Sequence, residues 1–171
     1  MEIHAPDLHH LKAAVGWLEL GNATEALVEL DLMNPALQNH PDVLEARWLA
    51  LAETKVWEMA VDVARKLITA APHRALGWLH HSYALRRARD GGLLAAFNAL
   101  VPIAARFPEE ATIPYNLACY CCQLQRDPAE TMRWLQQAIA VGGRKDILAM
   151  ALQDPDLEPL HAEMQKLKPN V

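Results

Sequence analysis

A three-residue pattern recurs four times along this chain and limits the folds open to it. In its first copy the pattern is Ala26, Leu30 and Met33, whose i, i+4, i+7 spacing places them on one face of an α-helix. The first residues of the later copies follow at intervals of 34, 36 and 35 positions. These copies are Ala60, Ala64 and Leu67; Ala96, Leu100 and Ile103; and Thr131, Leu135 and Ala138. Such a period is typical of arrays in which one small unit packs on the next, so we expect a stack of repeats without a single closed core.

The residues around these patterns also favour helices. Ala and Leu are abundant, seven glycines are spread over 171 residues, and no stretch shows the sustained alternation of a strand. The sequence therefore predicts an all-α fold. The expected helices lie at about 7–20, 23–34, 42–54, 56–71, 75–89, 93–107, 112–125, 128–141, 145–152 and 157–167.

Helix-breaking and helix-starting residues stand at consistent places between these segments. In the last three copies a breaker follows the first pattern residue by twelve positions, at Pro72, Pro108 and Gly143. The first copy departs from this rule, which we interpret as a three-residue insertion within 35–40. Asn22 and Asp127 are each followed three residues later by Glu, which predicts a capping box at the start of two helices.

This organisation resembles the tetratricopeptide repeat, a unit of about 34 residues formed by two antiparallel helices. Trp78 stands where that family has an aromatic residue in its first helix, and the stretch Tyr115-Asn116-Leu117-Ala118 is the most similar segment. There are two departures: Thr131 replaces a small Ala, and repeat 2 is expected to have a shortened first helix. The resemblance implies a right-handed α-solenoid of about four degenerate repeats in one domain, residues 1–171. Its expected parts are repeats at about 7–40, 41–74, 75–110 and 111–143, and a capping segment at 144–171.

The capping segment is expected to close the far end of this stack. Its short predicted helix at 157–167 places four apolar residues on one face, namely Leu157, Leu160, Met164 and Leu167. The last repeat has no following repeat to cover its apolar surface, so we expect this face to do so.

Three cysteines lie together between Cys119 and Cys122, which excludes a disulfide framework and indicates a reducing compartment. Cys119 and Cys122 form a C-x-x-C motif in the middle of a predicted helix, where no helix N-terminus lowers a thiol pKa. We therefore interpret these cysteines as buried structural residues. The alternative is a metal- or redox-active site in which His80 or His81 joins Cys119 or Cys122; no metal or cofactor is predicted otherwise.

Composition and motifs argue against several functional classes. Sixteen Lys and Arg against 21 Asp and Glu give a net charge of −5, which disfavours binding to nucleic acid. No apolar run reaches the length of a membrane span and the first residues lack a signal-peptide pattern, so we expect a cytoplasmic protein that does not bind membranes. The phosphate-binding, dinucleotide-binding, zinc-protease and nucleophile-elbow motifs are also missing from the sequence, so an enzyme is not expected.

The family resemblance further implies a binding surface, because the first helices of such stacks line a concave face that binds peptides. On this framework the expected partner-binding groove is lined by Leu49, Glu53, Leu79, Tyr83, Arg86, Arg87, Tyr115, Cys119, Cys122 and Gln123. Arg86 and Arg87 at its rim predict a partner segment that carries an acid among apolar residues. The family's clamp for a terminal carboxylate is not expected, because the corresponding positions include Leu11, Val15, His80 and Thr112.

Together these features predict a non-catalytic protein–protein interaction module, an adaptor, scaffold or small chaperone that holds a segment of another protein. A second hypothesis is self-association. Residues 1–45 carry eight acids and one base, whereas residues 46–126 carry six acids and ten bases. In a homo-oligomer the acidic repeat 1 of one copy would then dock on the basic repeat 3 of another. The metal- or redox-active site at Cys119 and Cys122 is the third hypothesis.

Overall fold

The computed structural model of the chain describes residues 2–165, and all regular structure within that range is helical. This confirms the all-α prediction. The α-helices are α1 (Asp7–Glu19), α2 (Ala23–Asp31), α3 (Pro41–Glu53), α4 (Trp57–Ala70), α5 (Ala75–Leu85), α6 (Leu93–Ala104), α7 (Thr112–Gln123), α8 (Pro128–Gly142), α9 (Arg144–Ala151) and α10 (His161–Gln165). Two 3-10 helices, Pro35–Leu37 and Pro155–Leu160, lie in the predicted insertion and before α10.

Successive helices pack as antiparallel pairs, as the resemblance implied, within two compact units. Unit 1 is Met1–Asp90 and holds α1 to α5, and unit 2 is Gly91–Val171 and holds α6 to α10. The boundary lies in the loop of repeat 3, so the first helix of that repeat belongs to unit 1 and its second helix to unit 2. The prediction of one continuous domain over residues 1–171 stays a prediction.

The recurring pattern supplies the centre of each helix pair. All twelve of its side chains are buried, and the most exposed of them, Ile103, retains 6% of its surface. The small residue that begins each copy lets the neighbouring helix approach, and the larger side chains one and two turns later fill the space beside it. The sequence prediction for this pattern is therefore confirmed.

A close approach between α4 and α5 depends on a glycine. A Cβ atom built on Gly77 would lie 3.2 Å from the backbone nitrogen of Ile68 and 3.3 Å from Cγ of Leu67. These distances are shorter than ordinary van der Waals contact, so the absence of a side chain at Gly77 sets how closely the two helices pack.

The predicted caps form only in part. Asn22 Oδ1 accepts a hydrogen bond from the Glu25 amide at 3.3 Å, but the amide of Asn22 donates to the carbonyl oxygen of Trp17 rather than to the Glu25 side chain. Asp127 caps α8 through the Ala129 amide, while the glutamate three residues after Asp127 forms an ion pair with Arg126. In both places the first half of a capping box is present and the reciprocal bond is replaced.

One prediction about helix length is wrong. Helix α3 has 13 residues, as many as α1, so repeat 2 does not have a shortened first helix. The helix begins at Pro41, directly after His40, whose ring nitrogen accepts from the Asp42 amide. Proline is well suited to the first helical position because it has no amide proton to satisfy there.

Candidate functional site

The first helices of unit 1 each leave one large apolar or aromatic side chain partly open to solvent. These residues are Val15 on α1, Leu49 on α3 and Tyr83 on α5, with 43%, 43% and 40% of their surface exposed. They follow one another at intervals of 34 residues, so they occupy the same position in three successive repeats. We call these three residues the apolar stripe.

A second row lies one helical turn before the stripe on the same helices. It consists of Leu11, Glu45 and Leu79, again 34 residues apart, and all three are half-buried. We call the two rows together the first-helix face. Between α1 and α3 this face contains an open trough of about 340 Å³, lined by Leu11, Val15, Asp42, Glu45, Ala46 and Leu49.

Glu45 is the one charged residue of the first-helix face. Burial raises the pKa of its carboxyl group, Arg74 acts in the opposite direction, and Asp42 adds to the rise. The Arg74 guanidinium is bound 2.8 Å from Asp42 Oδ1. Glu45 has no ion pair with any of residues 2–165. A carboxylate thus lies among leucine side chains without a cation bound to it.

An aromatic cluster holds Tyr83 in place. The rings of Trp48 and His80 stack at 3.6 Å with 6° between their planes, and Tyr83 meets Trp48 edge-on at 5.9 Å. Trp57 lies on the other side of Tyr83, with ring centroids 6.0 Å apart. Contacts of this kind fix the orientation of an aromatic side chain even where part of it is open to solvent.

Arg87 is used within unit 1. Its guanidinium lies 3.6 Å from the ring centroid of Tyr83 and 5.3 Å from that of Trp57, and Nη1 donates to the Tyr83 carbonyl oxygen at 3.0 Å. Arg86 caps the end of α5 and is half-buried, and Glu53 is exposed at the end of α3. The predicted preference for an acidic partner is therefore not supported at Arg87. Docking of repeat 1 on repeat 3 of another copy stays a prediction.

In unit 2 the expected groove residues lie beneath the chain's own C-terminal segment. Tyr115 and Cys119 retain 6% and 4% of their surface. The Tyr115 hydroxyl donates to Asp154 Oδ2 at 2.8 Å, and the Cys119 Sγ lies 3.5 Å from the same oxygen. This corrects the expectation that Tyr115 and Cys119 face a partner, because the 3-10 helix Pro155–Leu160 packs on α7 and covers them.

The other two α7 residues of the expected groove also lie near this segment. Gln123 Nε2 donates to the Asp156 carbonyl oxygen at 3.3 Å, and Cys122 is half-buried. Leu157, Leu160 and Met164 are buried, as the capping prediction requires, and Leu167 lies outside the described residues. The capping segment therefore has two parts, because α9 packs on α8 and the 3-10 helix packs on α7.

The cysteines have the properties of structural residues. Burial raises the pKa of Cys121 to about 11 and also raises the pKa of Cys122, which is the opposite of what a reactive thiol requires. Cys119 has two carboxylates nearby, and the ligand atoms of Cys119, Asp154 and Asp156 lie within 4.8 Å of one another. Both oxygens of Asp154 are already engaged, one by Tyr115 and the other by the Asp156 amide.

The histidines are explained by packing and local pairing. Burial lowers the pKa of His80 to about 4 and also lowers the pKa of His81, where Arg65 contributes in the same direction. Burial therefore favours the neutral ring at both positions. His10 lies 2.8 Å from Glu29, and His9 is exposed.

Two residues of the first-helix face were missed by sequence reasoning as partner-binding positions, namely Val15 and Glu45. The signal was present, since both lie 34 residues before a residue assigned to the groove, Leu49 and Leu79 respectively. Conversely, nothing near Tyr115 in the sequence indicates that Asp154, 39 residues away, binds its hydroxyl group.

None of the helices in residues 2–165 has the length and apolar character that crossing a bilayer requires. No protein-family model and no curated protein matches the sequence. Solved structures do match. MamA, from residue 41 to its end, of Desulfovibrio magneticus RS-1 has 17% identity and a TM-score of 0.68, covering 99% of this chain and 100% of that one. A thermophilic TPR protein of Thermus thermophilus has 19% identity and a TM-score of 0.63, covering 94% and 99%. The chain therefore has the tetratricopeptide-repeat fold.

Proposed function

We propose that the chain is a non-catalytic interaction module, an adaptor, scaffold or small chaperone, that binds a segment of a partner protein on the first-helix face of unit 1. The observation that carries this proposal is the apolar stripe. Single exposed apolar residues are common on protein surfaces and need no explanation. Three of them at one repeat position on three first helices form a continuous feature instead, and such features are typical of interaction sites.

The stripe supplies affinity through burial. Each of its side chains is about two-fifths exposed, so a partner that covers all three removes apolar surface from water at about 25 cal/mol per Å². Trp48 and Trp57 hold Tyr83 in a fixed orientation before a partner arrives, which reduces the entropy lost on binding. Because these side chains are held by helices, the surface is formed in advance.

The position of the stripe agrees with the resemblance noted from the sequence. Repeats of this kind bind peptides on the face formed by their first helices, and Val15, Leu49 and Tyr83 all lie on first helices. The α7 part of the expected groove is left out of the proposal, because the chain's own C-terminal segment covers it.

The test is affinity capture with the full chain from the source cell, followed by mass spectrometry. We expect Leu49→Asp to lose partners that the wild type retains, because a charge in the middle of the stripe must be desolvated when a partner covers it. The matched control is Leu32→Asp, which changes a residue of unit 1 that is 62% exposed and lies outside the first helices.

Circular dichroism and thermal unfolding establish that both variants keep the fold. Equal capture by wild type and Leu49→Asp would refute the proposal. Equal loss in Leu49→Asp and Leu32→Asp would do so as well, since binding would then not depend on the first-helix face.

A further inference from the structure

We propose that the segment bound on the first-helix face carries a lysine or arginine flanked by large apolar side chains, and that this cation pairs with Glu45. The inference rests on the proposed function and names the chemistry of its partner. It differs from the expectation raised by Arg86 and Arg87, which favoured an acidic partner.

The position of Glu45 within the face is the first argument. It lies on the middle helix, α3, with Leu11 at the same repeat position on α1 and Leu79 on α5. Leu49 stands one turn further along α3. A segment that crosses the face and buries the apolar stripe therefore passes over a carboxylate in the centre of an apolar surface.

The environment of this carboxylate is the second argument. Glu45 is half-buried, and the nearby Arg74 is engaged by Asp42 at 2.8 Å. Covering Glu45 with an apolar segment would remove its remaining water and leave an unpaired charge, at a cost of several kcal/mol. A cation in the segment offsets that cost. Lysine and arginine suit the site because their aliphatic stems pack along leucine side chains while the charged head reaches an acid.

The charge of the surrounding chain is the third argument. Residues 1–45, which include α1, α2 and the start of α3, carry eight acids and one base. The potential of this region attracts a cationic segment and repels an acidic one, which favours the same choice of partner during approach and in the bound state. Arg87, the nearest candidate for binding an acid, is packed on the rings of Tyr83 and Trp57.

The experiment is a selection of random dodecapeptides displayed on phage against four forms of the full chain. These are the wild type, Glu45→Gln, Glu45→Lys and the control Glu19→Lys. Glu19 is exposed at the end of α1, so its substitution changes the net charge of the chain as much as Glu45→Lys does without altering the first-helix face.

We expect the wild type and Glu19→Lys to select peptides with Lys or Arg among Leu, Ile or Phe. The Glu45→Gln variant should lose the preference for a basic residue, and Glu45→Lys should select acidic residues instead. A peptide selected by the wild type should bind Glu45→Gln about tenfold more weakly in fluorescence anisotropy, the effect of losing one hydrogen-bonded charge.

The failures of the two proposals are distinguishable. Selected peptides without a basic residue, or with equal affinity for wild type and Glu45→Gln, would overturn the pairing with Glu45. If those same peptides still require Leu49, as measured with Leu49→Asp, the proposed function stands alone. If no peptide is enriched on the wild type, or if binding is insensitive to Leu49→Asp, neither proposal holds.

Discussion

His80 shows how a single residue of this chain is fitted to its surroundings. The ring is 8% exposed and stacks on Trp48, and among residues 2–165 its Nε2 atom has no hydrogen-bond partner. A charged imidazole in that position would lose its hydration without gaining a partner. The neutral ring instead behaves as a flat apolar group that completes the aromatic cluster beneath Tyr83.

His80 should therefore make the fold sensitive to acid. Its folded-state pKa of about 4 lies below the ordinary value of 6.5, so above pH 6.5 both the folded and unfolded forms are neutral and nothing is lost. As the pH falls through this interval, only the unfolded chain takes up the proton. The free energy of unfolding should decrease by about 3 kcal/mol in total and level off below the folded-state pKa.

The measurement is urea unfolding of wild type and His80→Phe at several pH values between 7.5 and 3.5. Phenylalanine keeps a ring against Trp48 and cannot titrate, so the difference between the two proteins isolates His80 from the carboxylates. Parallel pH dependences would contradict the prediction.

At the same scale, the sequence predicted single residues well where their role depends on near neighbours. The burial of Ala60 and Leu100 follows from helical spacing and the repeat period. Tyr115 was misplaced because a distant segment covers it, and a residue's neighbours in the chain carry no record of such a contact. Val15 was missed because its repeat position becomes informative only when Leu49 and Tyr83 are known to be exposed together.

Among the elements, the pair α4 and α5 depends on Gly77, and two glycine substitutions test this dependence. A methyl group at Gly77 meets the backbone of Ile68, which cannot move aside as a side chain can. We expect Gly77→Ala to lower the free energy of unfolding by about 1–3 kcal/mol despite its better helix propensity. Gly16 on α1 has no atom within 4 Å of the place that a methyl group would occupy, so Gly16→Ala should instead raise stability by about 1 kcal/mol. Urea unfolding of both variants measures the contrast, and effects of the same sign would contradict it.

The 3-10 helix Pro155–Leu160 acts as a cover for α7. Asp154 fixes its start by accepting hydrogen bonds from the Asp156 amide and from the Tyr115 hydroxyl group. Leu157 is fully buried and anchors its centre. The sequence predicted that this segment covers apolar surface. It did not predict that the covered surface belongs to the first helix of the last repeat, because helical spacing defines an apolar face and not the face it meets.

We expect Leu157→Ala to loosen this cover, with a loss of about 2–5 kcal/mol from unit 2. The Cys119 thiol should then react faster with iodoacetamide, because its neighbour Asp154 is displaced with the segment. Cys121 is an internal reference, since its neighbours are Arg126 and Glu130 rather than the segment. Mass spectrometry of the alkylated peptides gives both rates. Equal acceleration at both cysteines would indicate general unfolding and would contradict the role of a local cover.

For the molecule as a whole, the important feature is that the stabilising contacts of each unit are made between helices close in sequence. The repeat period could therefore be predicted without coordinates, since every unit of it is local. The division into Met1–Asp90 and Gly91–Val171 was not predicted. The motif places this boundary inside repeat 3, and a periodic pattern gives no reason to divide one repeat.

Local contacts also imply that stability is distributed along the chain. In repeat proteins it is approximately a sum of terms from each repeat and its neighbours, so damage in one place should be felt mainly there. Leu44 in unit 1 and Leu135 in unit 2 retain 1% and 0% of their surface. Truncating either to alanine should cost about 2–5 kcal/mol. In hydrogen exchange, Leu44→Ala should reduce amide protection in α3 and α4 far more than in α7 and α8, and Leu135→Ala should do the reverse. The two variants serve as controls for each other, and an equal loss of protection in both units from either change would instead indicate one cooperative core.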